Sequence, residues 1–129
     1  MKIRAKNGEQ TVDITLPATD MDIQYCMKCI GIEDIVPVCC ISEVWDEPSY
    51  FGFLKGQTVS MDELNFLARR LDGMTEYEKR VVGVYSSETG IREMKQLIYQ
   101  YPMWQELTFS FRKNLLRICV KIHSALFFF

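Results

Sequence analysis

The alternation of apolar and polar positions predicts a small antiparallel sheet in the first half of the chain. Residues 11–16 alternate with a period of two, which is typical of a strand with one buried face. Residues 2–6 form a second strand-like segment, and Asn7-Gly8 between the two is a dipeptide that favours a hairpin turn. Residues 38–45 and 50–54 are rich in β-branched and aromatic side chains, so they predict two further strands.

A helix is predicted between the second and third strands, over about residues 19–30. Its apolar residues recur at helical spacing, at Met21, Tyr25, Cys29 and Ile32. Thr19 stands where an N-cap hydroxyl would accept a hydrogen bond from an early backbone N–H. Gly31 then predicts the end of the helix.

Three more short helices are predicted between residues 60 and 101. Ser60 and Thr75 each precede a glutamate by three residues, which is the capping-box pattern. Gly73, Gly90 and Pro102 mark the ends, with Gly73 expected in the left-handed conformation. The apolar stripes are Met61, Leu64, Leu67, Ala68 and Leu71; then Tyr77, Val81, Val84 and Tyr85; then Ile91, Met94, Leu97 and Ile98.

The residues after Tyr101 have a different character, being basic and strongly apolar. Leu107 to Phe111 alternate like a strand. Residues 114–129 are apolar apart from a narrow basic stripe, and they are too short and too interrupted by charge to span a bilayer. A terminal helix docked on the core, a poorly ordered end and an interfacial amphipathic helix all stay open for this tail.

These elements predict an α+β fold: a small antiparallel sheet with one packed helix, then a three-helix module and an atypical C-terminal tail. Of the 129 residues, 48% are hydrophobic and 25% are charged, which is ordinary for a globular domain. We expect an acidic α+β module over residues 1–58, the three-helix module over 59–101 and the tail over 102–129.

The charge is distributed unevenly, although the net charge is only −2. Between Glu9 and Glu63 there are eleven acidic residues and two basic ones, whereas residues 101–129 carry a net charge of +3. This asymmetry predicts an acidic surface on the N-terminal half that meets a basic partner. No N-terminal secretion signal is evident, so we expect a cytoplasmic protein with reduced cysteines.

Few residues are arranged for catalysis or metal binding. Cys26 and Cys29 form a C-x-x-C, but they fall in a helix pattern, and Cys39 and Cys40 are strand neighbours that point to opposite faces. Buried thiols are therefore favoured over a zinc site. The single histidine, His123, lies in the tail, and no glycine-rich phosphate loop occurs. We expect no enzymatic activity, no metal and no cofactor.

The run SMDELNFLARRL, followed by DGMTEYEKRVVGVY and MKQLI, resembles the ArdA-type antirestriction proteins. Upstream, DITLPATD and an acidic strand that ends in EVWD are similar to the family's N-terminal sheet and helix. The resemblance covers residues 12–98 and depends on the order and spacing of the segments. It implies an acidic mimic of B-form DNA, carried on a mobile element, that occupies the DNA groove of a type I restriction–modification enzyme.

The resemblance also implies which residues make the contact and with what. A protein partner is expected, without direct binding of nucleic acid. The acids that would imitate phosphates are Asp20, Asp22, Glu33, Asp34, Glu43, Asp46, Glu47, Asp62 and Glu63. The family's chain is longer and ends in a further acidic domain, in whose place this chain has the basic, apolar tail. Two alternatives stay open: an interaction module of a mobile element with another basic partner, and a membrane-associated protein that uses the tail.

Overall fold

The computed structural model describes residues 1–45, 50–103, 105–107 and 109–110, and it has the predicted α+β fold. The elements follow one another as β1 (Lys2–Asn7), β2 (Gln10–Thr15), α1 (Asp20–Cys29), β3 (Val38–Trp45), β4 (Thr58–Ser60), α2 (Met61–Leu71), α3 (Glu76–Thr89) and α4 (Ile91–Gln100). By their contacts the residues form two compact units, Met1–Gly73 and Met74–Phe129. α2 therefore belongs with the sheet, whereas the sequence grouped it with the two helices that follow.

The sheet of the first unit has the strand order β2-β1-β3-β4, and every neighbouring pair is antiparallel. β1 and β2 form the predicted hairpin, in which Ile3 lies opposite Ile14. β1 also pairs with β3, and the register between them shifts between Arg4 and Ala5, as at a β-bulge.

The predicted strand at residues 50–54 is wrong. Residues Gly52–Leu54 form a single 3-10 turn, and the fourth strand is β4, which pairs with the start of β3. Phe51 and Leu54 are both buried. Two core positions three residues apart fit a helical turn, because a strand would place them on opposite faces.

α1 has the predicted position and cap, but its buried side is not the one that the apolar spacing marked. Thr19 Oγ1 accepts a hydrogen bond from the backbone N–H of Asp22 at 3.1 Å, as expected of an N-cap. The residues that α1 buries are Ile23 and Met27. Met21 and Tyr25 are instead exposed, on the opposite side of the helix.

α2 agrees closely with the sequence prediction. Its whole apolar stripe from Met61 to Leu71 is buried, and Ser60 Oγ accepts a hydrogen bond from the backbone N–H of Glu63 at 3.4 Å. The helix ends before Gly73, as predicted. Gly73 does not take the left-handed conformation, however, because its φ is not among the positive ones.

The second unit contains α3 and α4. Thr75 and Glu78 form the predicted capping box at the start of α3, with both reciprocal hydrogen bonds at 3.2 Å. Gly90 separates the helices with a φ of 96°. The predicted strand at 107–111 is wrong in the part described, because residues 105–107 and 109–110 are helical. The predicted tail helix at 114–129 lies outside the described residues.

Candidate acidic interaction surface

The acidic surface is organised by one polar residue on the buried side of α2. Asn65 is 3% exposed, and its carboxamide holds both backbone groups of Ala18. Oδ1 accepts from the Ala18 N–H at 2.9 Å, and Nδ2 donates to the Ala18 carbonyl at 3.0 Å. The segment that leads into α1 is therefore fastened to the middle of α2. The signal in the sequence is an asparagine within an apolar helical stripe, which does not by itself identify the partner of its amide.

This connection brings together four of the predicted acids. Asp20 and Asp22 lie in the first turn of α1, and Asp62 and Glu63 lie in the first turn of α2. Carboxylates are favourable there because the unpaired N–H groups of a helix start carry partial positive charge. These four residues therefore stabilise the helices as well as making the surface negative.

Asp20 is anchored next to α2 by a loose ion pair. Its carboxylate lies 3.9 Å from the guanidinium of Arg69, which also donates to the Ala18 carbonyl at 3.1 Å. Asp62 precedes Arg69 by seven residues, so it lies on the same side of α2, two turns or about 10 Å away. Asp20 and Asp62 therefore belong to one surface of the unit.

Glu33 and Asp34 lie in the segment between the end of α1 and Pro37, and Pro37 is hydrogen-bonded to the start of α2. The N–H of Ile32 donates to the carbonyl of Met27 at 2.9 Å, which holds the chain against the last turn of α1. The chain then runs to Pro37, whose carbonyl accepts from the N–H of Met61 at 2.9 Å. Both acids are exposed in this connecting segment.

The acids do not form one unbroken row. Successive helical residues are about 100° apart, so Asp20 and Asp22 are about 200° apart around α1. They flank the exposed line of Met21 and Tyr25 rather than continuing it. None of the ion pairs between described residues involves Asp22, Glu33, Asp34 or Asp62.

Glu43 is not gathered with the others. It lies directly opposite Arg4 in the sheet, and its carboxylate pairs with Lys55 at 3.2 Å. Opposite residues of neighbouring strands share a face, so Glu43 is on the same side as Arg4, among basic groups. The remaining two predicted acids, Asp46 and Glu47, lie outside the described residues.

The outer face of the sheet carries a cluster that the sequence did not reveal. Arg4 Nε donates to Asp13 Oδ1 at 2.7 Å, and the indole ring of Trp45 lies about 5 Å from the charged groups of both Lys2 and Arg4. The hydrogen bond with Arg4 lowers the pKa of Asp13, and the same bond raises the pKa of Arg4. This face thus carries charges of both signs, with Lys2, Arg4 and Lys55 beside Asp13 and Glu43.

The described thiols show no metal-binding arrangement. Among the residues whose positions are described, no group of three or more histidine, cysteine, aspartate or glutamate side chains is placed to hold a metal ion. Cys39 is buried, and burial raises the pKa of its thiol to about 11. Burial also raises the pKa of Cys26, whereas Cys29 is exposed. His123 lies outside the described residues.

A search of the described helices for a membrane span found none that is long and apolar enough to cross a bilayer.

Comparison of the chain with models of protein families, with curated proteins and with solved structures found no match.

Proposed function

We propose that this chain is a non-enzymatic acidic decoy that binds in the DNA groove of a type I restriction–modification enzyme. The observation that carries the proposal is the fastening of the acidic start of α1 to α2 by Asn65. It holds Asp20 and Asp22 in the same unit as Asp62 and Glu63, on elements with buried anchors. A partner therefore meets negative charges at fixed positions rather than on mobile segments.

The charge balance of the first unit supports the same function. Residues 1–73 contain twelve acidic and seven basic residues, for a net charge of −5, and residues 74–129 carry +3. Four of the seven described candidate acids have no cation in an ion pair among the described residues, so their charge is available to a basic groove. Enzymes bind the DNA backbone mainly through lysine and arginine, and those side chains would contact carboxylates here.

The predicted acids differ in how much charge they offer a partner. Asp20 pairs with Arg69, which lies seven residues or about 10 Å along α2 from Asp62. Glu43 contributes least, because Lys55 and Arg4 compensate its charge. The proposed contact therefore centres on α1, α2 and the segment at residues 33–34.

The test is direct binding and competition with a purified type I enzyme and its unmethylated DNA. We expect the protein to bind the enzyme without DNA, to displace labelled DNA, and to bind more weakly as salt rises from about 50 to about 200 mM. The decisive variant combines Asp20→Asn, Asp22→Asn, Asp62→Asn and Glu63→Gln. It should lose most of the competition.

A matched control removes the same number of charges elsewhere, through Glu9→Gln, Asp72→Asn, Glu93→Gln and Glu106→Gln. All four of these residues are exposed. The control should compete as the original protein does. The proposal fails if the protein does not bind the enzyme, or if both variants compete equally well. Should the first variant prove unstable in thermal unfolding, Asp22→Asn with Asp62→Asn alone must still weaken binding.

A further inference from the structure

The outer side of α1 and the segment after it expose a group of large apolar side chains. Met21 is 80% exposed and Tyr25 is 70% exposed, while Ile35 and Val36 are 91% and 58% exposed. We call these four residues the outer strip. All four belong to the first unit, and the N–H of Ile32 donates to the carbonyl of Met27, so the segment with Ile35 and Val36 starts against the last turn of α1.

The folding of the unit does not account for this exposure. α1 already supplies Ile23 and Met27 to the core, on the side that faces away from Met21 and Tyr25. Met21 and Tyr25 are four residues apart, so their side chains are neighbours along one ridge of the helix. Adjacent exposed apolar residues of this size mark an interaction site more often than isolated ones do.

The charges around the outer strip indicate what kind of partner would bind there. Asp20 and Asp22 lie on either side of the Met21–Tyr25 ridge, and Glu33 and Asp34 directly precede Ile35. Lys28 is the one basic residue of α1. Two carboxylates thus flank the start of the Met21–Tyr25 ridge and two more follow the end of α1, which favours a partner with lysine or arginine on both sides of an apolar segment.

The same charges argue against two other occupants. A second copy of this chain would bring its own four acids against these four, and like charges that meet at an interface are unfavourable. An anionic membrane surface would repel them in the same way.

We propose that the outer strip is the docking site for a basic amphipathic helix of a partner protein. The partner's apolar residues, spaced by four, pack against the ridge of Met21 and Tyr25, because ridges at this spacing interdigitate between helices. α1 has ten residues and is about 15 Å long, so about three turns of a partner helix cover it. This proposal does not depend on the imitation of DNA.

The test uses a fluorescent synthetic helical peptide of about fourteen residues, with leucines spaced by three and four and two lysines at each end. Its anisotropy is titrated with the full chain. We expect saturable binding that weakens at least about tenfold in the Met21→Ser, Tyr25→Ser double variant. The Asp22→Asn, Asp34→Asn double variant should also bind the peptide more weakly than the original protein. This difference in affinity should be smaller at high salt, where the charges are screened.

Two controls separate this site from general stickiness. Tyr77→Ser with Tyr99→Ser removes two exposed aromatic residues of α3 and α4, and it should leave peptide binding unchanged. A peptide with glutamates in place of the lysines should not bind. The proposal is overturned if the lysine peptide does not bind, if the glutamate peptide binds equally, or if Met21 and Tyr25 are dispensable. It is also overturned if sedimentation shows a dimer that the Met21→Ser, Tyr25→Ser variant dissociates.

Loss of peptide binding and loss of competition for the restriction enzyme are separate readouts. The Met21→Ser, Tyr25→Ser variant retains every carboxylate, so it should still compete with DNA if the decoy function is right. If the protein binds the peptide but binds no restriction enzyme, the docking-site proposal is supported and the decoy proposal fails.

Discussion

The side chain of Asn65 and the backbone of Ala18 form a two-bond clamp between α2 and the chain that enters α1. The carboxamide accepts from the Ala18 N–H at 2.9 Å and donates to its carbonyl at 3.0 Å, although 47 residues separate the two in sequence. The Asn65 amide takes the place of water at the N–H and the carbonyl of Ala18. It thereby orders the loop before α1, whose backbone groups have no partners in a helix or strand.

We predict that Asn65→Ala lowers the free energy of unfolding by about 1–3 kcal/mol, because the substitution leaves the half-buried N–H of Ala18 without its partner, while Arg69 still donates to the carbonyl. Asn65→Asp should cost at least as much, since a carboxylate cannot donate to the Ala18 carbonyl. Urea denaturation followed by circular dichroism measures both changes. Gln24→Ala, at an exposed position of α1, is the control and should cost less than about 0.5 kcal/mol. An equally small cost for Asn65→Ala would show that the clamp does not hold the loop.

The pair of Arg4 and Asp13 should make stability depend on acid pH. The hydrogen bond from Arg4 lowers the pKa of Asp13 from its ordinary value of 3.8. A carboxyl whose pKa is lower in the folded state stabilises the fold above its unfolded pKa, and this contribution is lost as the pH falls through the folded value. The stability difference between the original protein and Asp13→Asn should therefore be larger at about pH 7 than at about pH 3.

Thermal unfolding at the two pH values measures this difference, with Glu9→Gln as a control in the nearby turn. The difference should also shrink in about 1 M salt, because the pair is exposed to solvent. If Asp13→Asn is equally destabilised at both pH values, the Arg4 contact does not depend on the charge of the carboxyl.

Local signals in the sequence predicted α1 to α4, and non-local contacts decided much of the rest. Thr19, Ser60 and Thr75 each cap a helix within three residues of themselves, so the pattern contains everything that the cap requires. β4 could not be predicted in this way, because a segment of three residues is a strand only through its pairing with β3.

The faces of α1 show why the candidate site was only partly predictable. Ile23 and Met27 have the same four-residue spacing as Met21 and Tyr25, so periodicity alone cannot tell which pair is buried. The sequence likewise showed Glu43 as one acid among many. Its pairing with Lys55 and its position opposite Arg4 follow from the strand register, which is a property of the folded sheet.

The cysteines should differ widely in their reactivity towards alkylating reagents. The thiolate is the reactive form, and a pKa of about 11 leaves about 1 in 1,000 Cys39 thiols ionised at about pH 8, against about 1 in 10 at the ordinary value of 9.0. Burial also blocks the approach of the reagent. We predict that iodoacetamide modifies exposed Cys29 first, Cys26 more slowly and Cys39 last.

Peptide mapping by mass spectrometry distinguishes the individual sites. Labelling in urea is the control, and there the three rates should converge because burial is lost. Equal rates for Cys39 and Cys29 in the native protein would mean that β3 opens readily at its junction with β4.

The two glycines that follow α2 and α3 should respond to alanine with opposite signs. Gly90 has a φ of 96° and a ψ of 160°, a conformation that is open almost only to glycine. Gly73 also ends a helix, yet its φ is not positive and an added Cβ would meet nothing within 4 Å. Gly90→Ala should therefore cost about 1–3 kcal/mol, whereas Gly73→Ala should stabilise by about 0.4–1 kcal/mol through the lower entropy of the unfolded chain.

Urea denaturation of both variants measures the two changes, and far-ultraviolet circular dichroism checks that the helix content is retained. Space is not the cause at either site, because nothing lies within 4 Å of a Cβ built at Gly90 either. The difference between the variants therefore isolates the backbone conformation. Gly90→Asn should not recover the loss, because asparagine tolerates positive φ mainly in the αL region, and a ψ of 160° lies outside that region. If Gly90→Ala proved neutral, the junction between α3 and α4 would have to adopt a second backbone conformation at little cost.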